Sequence, residues 1–98
     1  MKEISILGQK YTINEVNCVC KDEPMKSSID YLTHEIRIDR SMPVDLKQQT
    51  LLHEILRAMC DALGMYELAE DERSIQSLAT ALYSLFGTQI GDAFSSLR

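Results

Sequence analysis

The sequence predicts an α+β fold: a small antiparallel or mixed sheet of about four short strands, packed on two main helices with a short C-terminal helix. Three observations predict it. Apolar residues alternate with polar ones as far as residue 39, the period of a half-buried strand. They then recur every three or four positions between residues 52 and 86, the period of a helix with one buried face. Most connections between the alternating runs are tight, which suits hairpins better than crossovers.

Each element follows in order. Ile4 and Ile6 alternate with polar neighbours, Leu7-Gly8-Gln9-Lys10 reads as a turn, and Tyr11 and Ile13 resume the alternation. A hairpin over residues 3–7 and 10–16 is expected. Residues 17–27, polar and carrying Pro24, read as a loop or irregular edge. A second hairpin is expected over 28–32 and 35–39, where Ile29, Tyr31, Ile36 and Ile38 alternate, with Thr33-His34 at its tip. Ser41-Met42-Pro43 is a helix start signal. From there Leu52, Ile55, Leu56, Met59, Cys60 and Leu63 form one apolar face of a helix over 44–63, with Gly64 placed to stop it. Ile75, Leu78, Ala79, Leu82, Leu85 and Phe86 repeat the pattern over 71–86, and Gly87 is expected to close that helix. The tail, 88–98, carries Ile90, Phe94 and Leu97 for one more short helical segment.

Composition sets the outer limits. Ninety-eight residues, 45% apolar and 26% charged, make a single domain with one modest core. The formal charge of −5 comes without any dense basic cluster, which disfavours DNA or RNA as a partner. No apolar run approaches the roughly 20 residues of a membrane span, and Met1-Lys2-Glu3-Ile4 does not begin an export signal, so a cytoplasmic protein is expected. Three cysteines in such a chain are expected to be reduced. The pair Cys18 and Cys20 offers two soft metal ligands, but no second Cys or His pair stands at a matching spacing, and two small residues on a strand or loop is the plainer account.

The chemistry concentrates at Leu51-Leu52-His53-Glu54-Ile55-Leu56-Arg57. A zinc hydrolase motif of the form H-E-x-x-H places two imidazoles four apart, about 40° apart around a helix, so that both grip one ion. The intervening Glu then takes a proton from the metal-bound water. Here His53 and Glu54 are in register, and Arg57 stands where the second histidine belongs. A guanidinium has no lone pair to donate and would repel a divalent cation.

With its two hairpins, its motif helix and the following run Glu72-Arg73-Ser74-Ile75-Gln76-Ser77-Leu78-Ala79, the chain resembles the ImmA/IrrE-like metallopeptidases. It is most similar to the minimal versions carried by bacteriophages and other mobile elements. That resemblance, over about residues 3–86, implies Glu72 as the third zinc ligand, since Ile75, Leu78 and Ala79 fall at the family's spacing after it. Periodicity independently puts Glu72 on the apolar stripe of its helix, facing the motif helix rather than open water. Arg57 is therefore expected to pair with Glu72, Glu54 or both, bringing the positive charge that a metal would have brought.

Three readings follow. The first is a degenerate metallopeptidase-like domain with no cofactor, acting by binding a protein partner such as a host factor or regulator. The second is an active enzyme with zinc on His53 and Glu72, a further ligand such as His34, and Glu54 as general base. The third is a plain structural or interaction domain in which His53-Glu54 is incidental. Among the other candidates, His34 at a hairpin tip reads first as a solvated residue and only remotely as a third ligand, and Cys60 reads as a small packing residue about 10 Å along the helix from His53. Met59 and Met65 read as packing, and Glu67, Glu70 and Asp71 as a solvated helix start.

Overall fold

The computed structural model describes residues 2–17 and 26–96, with side chains described as far as residue 85. Cys18, Cys20 and Pro24 lie outside the described residues, as do the side chains of Phe86, Ile90, Phe94 and Leu97.

Strand β1 (Lys2–Ile6) turns through Leu7 and Gly8 into β2 (Gln9–Val16), antiparallel, with Ile6 opposite Gln9. Both turn residues have positive φ, 50° and 82°, the backbone a two-residue hairpin of right-handed twist requires. Strand β3 (Ser27–Asp30) and strand β4 (Glu35–Asp39) make the second hairpin. Asp30 closes its turn by accepting from the amides of Leu32 and Thr33 at 2.9 and 3.1 Å. The sheet order is β1-β2-β4-β3, with β4 parallel to β2, so the sheet is mixed. The position of β4 follows from its side chains: Ile36 and Ile38 are buried, whereas Ser27, Ser28 and Asp30 suit an outer strand.

One sheet face carries Ile6, Tyr11, Ile13, Ile36 and Ile38, which pack against Leu51, Ile55 and Ala58 of helix α1 (Val44–Ala62). Pro43 is the N-cap of α1 and gives no side-chain cap. Ser41 instead donates its hydroxyl and its amide to the Asp39 carboxylate at 2.7 and 2.9 Å, so it closes the turn before the helix. At the other end Gly64 adopts φ 75°, Met65 N–H reaches the Cys60 carbonyl at 2.8 Å, and Gly64 N–H reaches that of Asp61 at 3.0 Å. That is the double hydrogen bond of a glycine-terminated helix.

A short helix, α2 (Tyr66–Glu70), leads into α3 (Glu72–Ser96), which Asp71 caps by accepting from the Ser74 amide and hydroxyl. Two boundaries differ from the sequence expectation. The short helix lies between the long ones rather than at the C-terminus, and α3 runs through Gly87 instead of ending there. A glycine inside a helix costs only about 1 kcal/mol and cannot end it unaided. The outward faces differ too: Met59 and Leu63 at the end of α1, and Leu78 and Leu85 on α3, are exposed. Leu52, Ile55 and Cys60 of the expected face are buried, and Leu51 and Ala58 join them. No helix among the described residues is long and apolar enough to cross a membrane.

Candidate functional site

Helices α1 and α3 run antiparallel; Cys60 and Leu56 pack on Ile75, and beside that apolar contact runs a seam of polar pairs. Tyr83 donates to Gln48 at 3.0 Å, and Gln49 to Thr80 at 3.1 Å. His53 Nδ1 meets Gln76 Oε1 at 3.1 Å, and Arg57 Nη1 donates to Glu72 Oε1 at 2.8 Å. The α3 members stand one turn apart, so the spacing that stacks side chains along a helix produces the seam. Alongside the seam, from Leu46 to Arg57 of α1, lies a cleft of about 500 Å³ that reaches the start of β3, with Ser27, His53, Glu54, Arg57, Glu72 and Gln76 among the residues on its walls.

Glu54 is the most deeply placed of these groups, its side chain only 2% exposed. Its Oε2 accepts from Ser27 Oγ at 2.6 Å, and its Oε1 lies 3.8 Å from Arg57 Nη1. Burial pushes the Glu54 carboxyl above its ordinary range, against the lowering effect of the Ser27 hydroxyl and of Arg57. Burial likewise raises the Tyr31 phenol, against the pull of the neighbouring Arg57 guanidinium. Arg57 thus stands between a buried carboxyl and an outer one, Glu72. Its Nη1 is close to both, and Glu72 Oε2 also lies 3.3 Å from His53 Nε2.

The sequence therefore places His53, Glu54, Arg57 and Glu72 together, and the fold does the same. Two expectations change. Glu72 reaches across to α1, but its side chain is 64% exposed, so the Arg57–Glu72 pair faces water instead of being enclosed. His34 is elsewhere: at φ 57° it closes the β3–β4 turn and stacks on Tyr11 with ring centroids 4.6 Å apart. It does not line the cleft. Cys60 packs inward with Ala69 and Ile75, as a small core residue would. Met59 and Met65, read from the sequence as packing residues, are exposed.

Ser27 and Gln76 are functional neighbours that sequence reasoning missed. Gln76 carries a signal in hindsight, one helical turn after Glu72 on the same face. Ser27 carries none, because its place depends on which strand flanks β4.

The donor set does not fit a zinc ion as it stands. His53 and Glu72 supply two converging donors, and the third place holds a guanidinium that can only donate hydrogen bonds. Among the described residues, no three His, Cys, Asp or Glu side chains are grouped so that they could hold a metal ion.

Glu54 makes the site visible in a pH titration of stability. Its folded carboxyl holds a proton to higher pH than the unfolded value of 4.5, so the native state binds more protons just above that value. Stability should accordingly fall as pH rises from about 4.5 through the folded pKa. Glu15, lowered mainly by the Lys47 hydrogen bond, and Asp39 and Asp71, lowered by bonds from Ser41 and Ser74, act oppositely. The stability they contribute is lost as pH drops through their depressed values, below about 4. Glu54→Gln should flatten the upper slope and leave the lower one, as measured by urea midpoints across that range. An unchanged upper slope would remove Glu54 from the account.

The fold and the cleft define a small α+β domain with a cationic, carboxylate-bracketed centre on a two-helix seam. Comparison with protein-family models, with curated proteins and with solved structures gives no match for this chain.

Proposed function

We propose that this chain is a degenerate metallopeptidase-like domain, similar to the minimal ImmA/IrrE-like proteins of phages and mobile elements, that acts in a bacterial cytoplasm by binding a protein partner. The observation that carries the reading is the position of Arg57. It reaches Glu72 at 2.8 Å and Glu54 at 3.8 Å, while His53 stands 3.3 Å from the same Glu72. The three residues that the resemblance assigns to a zinc hydrolase site, His53, Glu54 and Glu72, here stand around a cation that cannot activate water. Glu54, which would serve as general base in an active relative, is here a buried carboxyl held by Ser27, and burial raises it above its ordinary range.

Metal content separates this reading from an active enzyme with a non-standard site. Protein purified from zinc-replete culture, without chelator, should carry far less than one zinc per chain by elemental analysis. A stoichiometric zinc that disappears in His53→Ala would replace the proposal with the active-enzyme reading. The acidic balance, −5 without a basic cluster, supports a protein rather than a nucleic-acid partner.

A further inference from the structure

At the junction of α1 and α2, large apolar side chains point out and small ones point in. Met59 is 38% exposed, Leu63 63%, Met65 47% and Tyr66 63%, all within eight consecutive positions. The inner side of the same junction is filled by Cys60 and Ala69, packed with Ile75 and supported by Leu56 and Leu68. The core is closed without the outer four, so their exposure is not a side effect of packing. Met59 and Leu63 are one turn apart on α1, and Gly64 at φ 75° reverses the chain so that Met65 and Tyr66 follow directly. Scattered exposed apolar residues are ordinary, but a contiguous group of large ones marks an interaction surface.

Charge identifies the occupant. Residues 58–70 contain Asp61, Glu67 and Glu70 and neither lysine nor arginine. Glu67 and Glu70 are exposed, and Glu70 lies one turn after Tyr66 on α2. An apolar centre with an acidic border complements a segment that is apolar on one side and basic on the other. Two methionines in the centre adapt to such a segment without demanding one shape. We infer that this junction docks a cationic amphipathic helix of a partner protein, with Leu63 and Tyr66 as anchors and Glu67 and Glu70 as the charged border. The inference rests on the reading of the chain as a binding protein, but uses no residue of the Arg57 cleft.

The test is titration of the full chain with a synthetic amphipathic helix bearing leucine on one face and lysine on the other, followed by backbone amide shifts. Saturable binding should appear, with the largest shifts over residues 59–70, and should weaken as salt is raised. Leu63→Ser with Tyr66→Ser should weaken it by about tenfold or more. Glu67→Lys with Glu70→Lys, which touches no apolar residue, should weaken it comparably while leaving the circular dichroism spectrum unchanged. Binding that both double variants retain, shifts centred on another face, or no binding at all would overturn the inference. So would a concentration-dependent dimer abolished by Leu63→Ser with Tyr66→Ser, which would assign the surface to a second copy of the chain. The zinc measurement above is unaffected by any of these results, so the two readings fail separately.

Discussion

Arg57→Ala is expected to lower the melting temperature by about 10 °C, through Glu54 far more than through Glu72. The Arg57–Glu72 pair is short, 2.8 Å, but Glu72 is 64% exposed. An ion pair in that setting contributes about 0–1 kcal/mol. Glu54 is different, because its carboxyl is buried and, among the described residues, is hydrogen-bonded by the Ser27 hydroxyl alone, with the guanidinium nearby. Removing the cation from a fully buried ion pair typically costs about 3–5 kcal/mol. Here the cost is capped, since the two groups are 3.8 Å apart, beyond hydrogen-bond length, and Arg57 is itself partly exposed. A net loss of about 1–3 kcal/mol follows, and each kcal/mol moves the melting temperature of a domain this size by about 4–8 °C. The double variant Arg57→Met with Glu54→Leu should recover most of the loss, because it removes both the charge and its partner. Thermal denaturation followed by circular dichroism checks all of these. A single variant that melts with the wild type would show that Arg57 does not hold the cleft together.

What could be read from the chain, and what could not, divides along a physical line. A helix fixes the mutual placement of residues three and four apart, so the register of His53, Glu54 and Arg57 was readable directly. Glu72 could be read because it continues the stripe of Ile75 and Ala79, both fully buried. Its exposure could not, since a stripe gives direction and not depth. Alternation of Ile36 and Ile38 shows which face of a strand is buried, but not which strand lies beside it. For that reason the parallel pairing of β4 with β2, which brings Ser27 under Glu54, left no mark in local sequence. The apolar positions Met59 and Leu63 fit the period of α1 and yet face outward, because the sheet packs on Leu51, Ile55 and Ala58, and near the end of the helix it is Cys60 that turns in against Ala69 and Ile75. A helical period identifies a face that can be buried, and the neighbouring elements decide how much of it is.

Arg57→His should turn the cleft into a zinc site. The substitution places imidazoles four apart on one helix and withdraws the guanidinium that now takes up a Glu72 oxygen. When Nδ1–H donates to Gln76 Oε1 at 3.1 Å, Nε2 keeps its lone pair on the side of Glu72, 3.3 Å away. Elemental analysis should give about one zinc per chain. The melting temperature should rise with added zinc, by the equivalent of about 4 kcal/mol when free zinc exceeds its dissociation constant a thousandfold. The gain should vanish at acid pH, where imidazoles protonate, and in the same variant carrying His53→Ala or Glu72→Gln. Failure to take up zinc would mean that His53 and Glu72 do not surround a metal's place at all. The 3.3 Å contact would then be an ordinary interhelical pair on a polar seam, and the domain a plain interaction module whose His53-Glu54 is incidental. Stoichiometric uptake from one substitution would mean that Arg57 alone separates this scaffold from a metal-binding one.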